Sequence, residues 1–590
     1  MVDTTRFEDI VYKFPKMHDG DELPKLIGID SEAYADGSPF LFCMSDGMAF
    51  SLDDIPDIFF TPKYVNRHAV SFNLKYDSGA ILYGLPDENK TQLWRYMKTY
   101  HKDTLIKYIP KKQLKFQRGD DVFVVWDIWQ FFHMSLDKAA RIYLNEKKMD
   151  VETKKFSRRY VIKNKKRLVD YCIHDAKLAA DLGNFLLDKL REFGIRATAL
   201  YSCASLSFRY FTDCGAFVHV WRYWTNYREA VRFALESYEG GKFEVTARGG
   251  FTAGFEYDIV SAYPFEIKNL VDISTARVFR SKKYVRDAVY GYLRCRIDNT
   301  AGMHIPCGIM KNVSIYPAGV FYKTITKKEY EYLLSIGVGV SIVDGYWLVV
   351  RRLSYPYAPV IDTLMKLKTQ YKGKDAALYM LAKIMQNSYY GKMIQMMEGD
   401  APDDTGHVPI KAGVGWNPFY ASVITANTRI KVTEMQNRYR DECYGVHTDS
   451  VILSRPMDPA PSGRLGDFEE QHTGAGIIVA CGQYQIDEKC AWKGIEPNQG
   501  DTWRLLLERH PRSTVIRYPQ VRAETWLDAV SKRHFRTINR FSRSIKNIDI
   551  NGDTKRSWPK PMRGQDFLKN EMQKSLPLIL IDKKRPEAWK

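Results

Sequence analysis

An α+β fold divided among two to four packed units is what this sequence predicts, and three observations lead there. Its 590 residues and 68.4 kDa exceed what one hydrophobic core organises. Apolar runs of strand length, Leu26–Asp30 and Phe255–Val260 among them, occur beside stretches of helical periodicity such as 176–187 and 375–392. Hydrophobic residues make up 45% and charged residues 27%, the balance of a globular chain and not of a disordered one.

Composition narrows the partners. Lys and Arg number 88 against 70 Asp and Glu, a formal charge of +18, so a polyanion is expected, nucleic acid ahead of an acidic membrane. Residues 501–590 hold 21 Lys/Arg and 10 Asp/Glu, so this segment carries eleven of those charges and is a candidate clamp on a phosphate backbone. No apolar run reaches the roughly 18 residues of a membrane helix. The opening MVDTTRFEDI lacks a signal peptide's apolar stretch. The nine Cys are scattered with no C-x-x-C pair, which fits a reducing compartment. A cytoplasmic protein without a membrane partner is the expectation, and no internal repeat suggests a solenoid.

In the N-terminal third, the run from Leu26 ends in Asp30-Ser31-Glu32. Residues i and i+2 of a strand share a face, so both carboxylates point the same way. A solvent-facing strand carries such a pair by chance; two further segments change the reading. Ser71-Phe72-Asn73-Leu74-Lys75-Tyr76-Asp77 brings an amide, an aromatic ring and a carboxylate together. Tyr171 and Asp175 sit four apart at the head of a helical pattern and share one face. Asp30, Glu32, Asp77 and Asp175 form the ligand set that two divalent cations about 4 Å apart require, and Tyr171 is placed to orient a water.

These three segments, D-x-E, N-x-x-(F/Y)-D and Y-x-x-x-D in that order, resemble the 3′–5′ proofreading exonuclease of family B DNA polymerases. The resemblance implies that Asn73, Tyr76, Ser135 and Leu136 hold a frayed single strand. It also implies a catalytic lysine shortly before the third segment, at Lys154 or Lys155.

Further along, Phe255–Val260 reads as a strand that delivers Asp258 and runs into Ser261-Ala262-Tyr263-Pro264, where proline ends regular pairing. Cys443–Leu453 reads as a hairpin with Asp449 near its tip. On one continuous helix, Lys372, Lys383, Asn387 and Tyr390 form a single stripe, and Gly391 permits close approach of a base or backbone.

These segments resemble motifs A (D-x-x-S-x-Y-P), B (K-x-x-x-N-S-x-Y-G) and C (Y-x-D-T-D-S) of the same polymerase family, so the likeness spans roughly residues 25–500. It implies that Asp258 and Asp449 hold two Mg²⁺ ions, with Mn²⁺ as substitute. Lys383 and Lys372 would meet a triphosphate, Tyr263 would exclude a ribose 2′-OH, and Asn387 and Tyr390 would shape the base-pair pocket. Ser388, Gly391, Tyr444 and Thr448 belong to the same motifs and are expected at DNA. Tyr238-Glu239-Gly240-Gly241 resembles the Y-x-G-G/A linker between the two activities, and Thr425 and Arg429 match a template-contacting helix. In isolation, Gly-Gly marks a turn and a lone Arg a surface.

Two positions depart from the family. His447 stands where the first Asp of motif C is usual. Gly482-Gln483-Tyr484 keeps the tyrosine of K-x-Y and lacks its lysine, so grip on the primer strand is expected from the basic C-terminal unit. The short length resembles the protein-primed enzymes of small phages, viruses and linear plasmids, with one insertion within 271–353 and a small second one in 398–416.

The resemblance implies a ribonuclease-H-like exonuclease domain followed by a right-hand polymerase domain. The expected units are an N-terminal segment and exonuclease over 1–190, a linker over 191–250, and palm with insertion over 251–352. Fingers over 353–394, palm over 395–500 and a basic thumb over 501–590 complete the order. Expected partners are template and primer DNA and dNTPs, with either a terminal protein or a nucleic-acid primer starting synthesis, and the chain is expected to be a monomer. The rival readings are a 3′–5′ exonuclease whose palm lost synthesis through His447, and a non-catalytic DNA-binding scaffold.

Overall fold

The computed structural model describes residues 4–13, 21–52, 55–151, 156–310, 312–398, 409–535, 541–582, 586 and 589. Lys154 and Lys155, and the segment 399–408, lie outside the described residues. The fold is mixed α and β. Among the described residues no helix is long and apolar enough to cross a membrane.

The N-terminal unit is built on an eight-stranded sheet. At its centre Ile27–Ala33 runs parallel to His68–Ser71, which runs parallel to Asp121–Asp127, while antiparallel strands extend both edges. The 28-residue helix Lys165–Glu192 crosses this sheet. Its buried side, including Leu168, Cys172, Asp175, Ala179, Leu182 and Leu186, recurs at the three- and four-residue spacing of a helix stripe. Gly28 sets the closeness of that contact, because a Cβ there would lie 1.7 Å from the Ala176 carbonyl oxygen.

The second large sheet also has eight strands. Its spine is Ala247–Ile259, flanked on one side by the hairpin Cys443–Thr448/Ser450–Leu453 and on the other by Phe468–Ala480. Helix Pro418–Arg438 is buried on nearly every side, so it serves as a beam through the interior. Residues 277–349 form a separate layer of four strands with its own core around Leu293, Phe321 and Trp347. Ahead of it, the short helix Ala262–Lys268 follows the spine directly.

The C-terminal segment divides its contacts among all three units. Met572–Lys574 pairs with the spine strand, and Ile579–Ile581 adds a fifth, parallel strand to the inserted layer. Between the arms of the hairpin Val515–Ala523/Phe541–Asp549, helix Trp526–Ser531 docks on the N-terminal unit. Trp526 is 1% exposed there and meets the Tyr108 ring edge-on at 5.3 Å.

Replacing Gly28 by Ala is expected to destabilise the N-terminal unit by about 3 kcal/mol, since a backbone carbonyl cannot step aside as a side chain does. Hydrogen exchange checks this: amide protection of Ile27–Ala33 should fall while that of Ala247–Ile259 stays. Unchanged protection in the first strand would refute the packing argument.

Candidate active sites

Two clefts gather the predicted residues. The first, about 640 Å³, opens over the carboxyl ends of the N-terminal parallel strands. Asp30, Glu32 and Asp175 each offer a carboxylate oxygen, and these atoms lie within 4.8 Å of one another. Asp30 and Glu32 come from one strand by its two-residue repeat and Asp175 from the helix that Gly28 admits. Asp77 lines the same cleft but is not in that trio; the hydroxyls of Ser31 (2.7 Å) and Ser71 donate to its two oxygens.

Like charges held out of water disfavour ionisation. Burial, then the charges of Asp77, Glu32 and Asp175, hold the Asp30 carboxyl well above its usual range. Burial pushes Glu32 up to about 8 and Asp77 up to about 7. Asp30 Oδ2 and Asp175 Oδ1 are buried without a hydrogen-bond partner. Orphaned carboxylate oxygens aimed at one point are the donor set of a hard divalent cation, so the residues present fit such an ion.

Lys148 enters this cleft, and sequence reading missed it. Its Nζ lies 2.5 Å from Asp175 Oδ2 and 5.1 Å from the centre of the Tyr171 ring. Burial opposes its charge, but Asp175 and Tyr171 outweigh burial and hold the ammonium pKa above its ordinary value. Position 148 sits in a stretch of mixed charges directly after Lys147, so only the fold distinguishes the two. Asn73 and Tyr76 line the cleft as expected, with Asn73 in the left-handed region at φ 92°. Ser135 and Leu136 do not reach it. Ser135 caps helix Leu136–Tyr143 by accepting from the Lys138 N–H, and Leu136 packs partly against the core.

The second cleft, about 390 Å³, lies at the end of the spine strand. Asp258 pairs with Ser450 across the sheet, and the Ile259 N–H donates to the Asp449 carbonyl, so both carboxylates emerge at the same edge. Burial, then Glu256 and Asp449, push Asp258 up to about 6, and burial raises Asp449. Tyr263, Lys383 and Asn387 line the opposite wall with Lys368. Tyr390 stands behind Tyr263, their ring centroids 4.7 Å apart.

Lys372 is not in this wall. The chain forms two helices, Ala358–Tyr371 and Ala376–Ser388, broken at Gly373 with φ 75° and restarted by the Asp375 cap, so the single-stripe expectation fails. Lys368, one turn earlier, takes the place, its Nζ 3.3 Å from Ser261 Oγ. Glu469, opposite Asp258 in the sheet, adds a third carboxylate that the motifs did not flag.

Thr425 and Arg429 are fully buried, which corrects their placement at template DNA. Thr425 Oγ1 donates back to the Ala421 carbonyl, and Arg429 is enclosed by protein acceptors. Tyr484 is 6% exposed and donates to Glu256 Oε1 at 2.6 Å, and Tyr444 leans on Phe251 with ring centroids 5.1 Å apart, so neither lines the cleft. Thr448 holds φ 64° at the hairpin tip directly before Asp449, against Gly241. Ser388 ends its helix, Gly391 faces open space, and Gly240 gives its carbonyl to Arg429.

His447 is packed in rather than displayed. Its ring stacks on Tyr484 at 5.0 Å and meets Phe243 at 5.9 Å. Burial, then Lys493, Lys555 and Lys489, push it down to about 3, so it is neutral. Lys493 and Lys555 both come close to Phe243, one Nζ 3.6 Å from its ring centre and the other 2.8 Å from its carbonyl oxygen.

Known proteins resemble this chain in part of its sequence and in its fold. Residues 143–400 match the family described as DNA polymerase type B, organellar and viral. A DNA polymerase of Acidianus bottle-shaped virus (isolate Italy/Pozzuoli) is 24% identical over 268 residues, 42% of this chain and 38% of that protein. A probable DNA polymerase of Podospora anserina is 24% identical over 158 residues, 26% of this chain and 13% of that one. The chain thus spans well under half the length of these curated relatives. In fold it is similar to phi29 DNA polymerase complexed with primer-template DNA and incoming nucleotide, with a TM-score of 0.63 at 15% identity over 90% of this chain and 100% of that one. The chain is accordingly similar, over residues 143–400, to the organellar and viral type B DNA polymerases, and its fold is similar to that of phi29 DNA polymerase.

Proposed function

We propose that the chain is a template-directed DNA polymerase with a 3′–5′ proofreading exonuclease, replicating a viral or mobile-element genome. The observation that carries this reading is the pair of separate acidic clefts, one walled by Phe72, Asn73 and Tyr76 and the other by Lys368, Lys383 and Tyr263. Asp258 and Asp449 would hold divalent magnesium in the second cleft, and Asp30, Glu32 and Asp175 would do so in the first, with Asp77 beside them. Bound there, the metal lowers the pKa of an attacking hydroxyl or water and neutralises a leaving oxygen.

The chain's own residues do the rest. Lys383 and Lys368 face the entering triphosphate and offset its charge. Tyr263, braced by Tyr390, presents a ring where a ribose 2′-OH would stand, so dNTPs are the substrate. Lys493 and Lys555 supply the grip on the primer strand that Gly482 cannot. In the first cleft Asn73 and Tyr76 hold unstacked bases, while Lys148 fixes Asp175 and orients Tyr171 toward the attacking water. Synthesis starts from a DNA 3′ end or from the hydroxyl of a terminal protein; extension assayed with and without a DNA primer separates the two. The rival reading, an exonuclease with an inactive palm, rested on His447. That ring is neutral and buried between Phe243 and Tyr484, and it leaves both aspartates in the cleft, so synthesis is the preferred reading.

Asp258→Ala should lower primer extension at least about a thousandfold and leave degradation of a labelled single strand intact. Asp30→Ala should do the converse; loss of both activities in either variant would mean the clefts are wrongly assigned. Lys148→Met is expected to slow degradation by roughly 10²-fold with extension unchanged. Millimolar Mg²⁺ should raise the thermal midpoint of the wild type, and Asp30→Asn should diminish the rise. Because Glu32 is held near 8, protons compete with the metal below that pH, and the rise should be smaller at pH 6 than at pH 8. Equal shifts at both pH values would contradict this.

A further inference from the structure

Arg429 lies on the buried helix and touches neither cleft. Its guanidinium is nevertheless used on every side. Nε donates to the Pro306 carbonyl at 2.9 Å, Nη1 to the carbonyls of Glu239 and Gly240, and Nη2 to Glu329 Oε1 at 2.7 Å. Glu329 is itself fixed, its Oε2 accepting from the Thr326 N–H at 2.9 Å and the Thr326 hydroxyl at 3.1 Å. Pro306 and Glu329 both belong to the inserted layer, whereas Glu239 and Gly240 belong to the loop 238–241 that leads into the second sheet.

At both ends that loop touches a residue that stands next to one lining the second cleft. At one end the Tyr238 and Tyr390 hydroxyls lie 2.7 Å apart, and Tyr390 backs Tyr263. At the other, Gly241 is pressed so closely on Thr448 that a Cβ would come within 2.6 Å of Thr448 Cγ2, and Thr448 directly precedes Asp449. Between them the Glu239 carboxylate accepts from the Gly308 N–H at 2.9 Å, again a residue of the inserted layer.

We propose that Arg429 is a positioning residue for nucleotide selection. It holds loop 238–241, and the loop sets both the Tyr390–Tyr263 pair and the hairpin tip that carries Asp449. The inserted layer, through Glu329, fixes the guanidinium and so forms part of the machinery that recognises the sugar. A planar fork of five donors meets three carbonyls and a carboxylate at once; a lysine offers one point charge and cannot. The inference rests on the polymerase reading of the second cleft.

Single-nucleotide insertion by wild type, Arg429→Lys, Glu329→Gln and Tyr238→Phe tests it, with degradation of a single strand measured in parallel. Tyr238→Phe removes one hydrogen bond with little risk to folding and should raise the dNTP KM by roughly three- to tenfold at near-normal kcat. Arg429→Lys should raise KM by more than about tenfold and lower the preference for dNTP over NTP, with degradation unchanged. The proposal is overturned if Arg429→Lys and Tyr238→Phe keep wild-type KM and sugar preference. It is equally overturned if degradation falls in step with insertion, because that marks general loss of structure. Should Arg429→Lys not fold, Tyr238→Phe and Glu329→Gln decide on the same readouts. A wild-type chain that inserts no nucleotide overturns the polymerase reading itself, which is seen before any variant is compared.

Discussion

Carboxylates repel one another and resist leaving water, yet this fold gathers them in two clefts and, in the first, brings oxygens of Asp30, Glu32 and Asp175 within 4.8 Å of one another. Everything around those clefts is arranged to make the crowding tolerable. In the first, strand Ile27–Ala33 is rigid because it is central in its sheet, and the helix bearing Asp175 comes close because position 28 has no side chain. In the second, sheet pairing fixes Asp258 beside the Asp449 hairpin tip. A rigid frame prevents the acids from relaxing apart, so their charge is available to a cation instead.

The same logic of enclosed charge joins the units. Glu244, 1% exposed, accepts from Arg556 Nη1 at 2.6 Å and lies 3.3 Å from Lys242 Nζ, with Gln436 also donating to it. Burial opposes the charge of Glu244, but Lys242 and Arg556 outweigh it and hold that carboxyl well below the ordinary range. One partner comes from the second sheet and one from the C-terminal segment, so the pair ties the chain's end to its middle. Removing Glu244 would leave two buried cations without their shared counter-charge, which costs more than the cluster contributes. Arg429 and Glu329 repeat the arrangement between the inserted layer and the buried helix.

Several residues were legible because their chemistry and their local period coincide. Asp30 and Glu32 share a face by the repeat of a strand, Tyr171 and Asp175 by that of a helix, and Asp449 falls at the tip of an alternating hairpin. Where a reading needed an element to continue, it was exposed to a single glycine: the break at Gly373 removes Lys372 from the stripe and puts Lys368 in its place. Where it needed to know which way a charge faces, it had no basis. Arg429 looked like a surface contact because a polar residue in a helix usually is one, but three carbonyls and a carboxylate waited inside for it.

The amino-acid order by itself determined the two acidic groups, the α+β character and the excess of positive charge, because each depends on residue type and on spacings of two to four. The tertiary structure alone decided that Lys148 joins Asp175, that His447 is neutral between two rings, and that the end of the chain returns to all three units. Those outcomes depend on which distant surfaces meet, and burial, which sets the charge of each group, exists only after they have met.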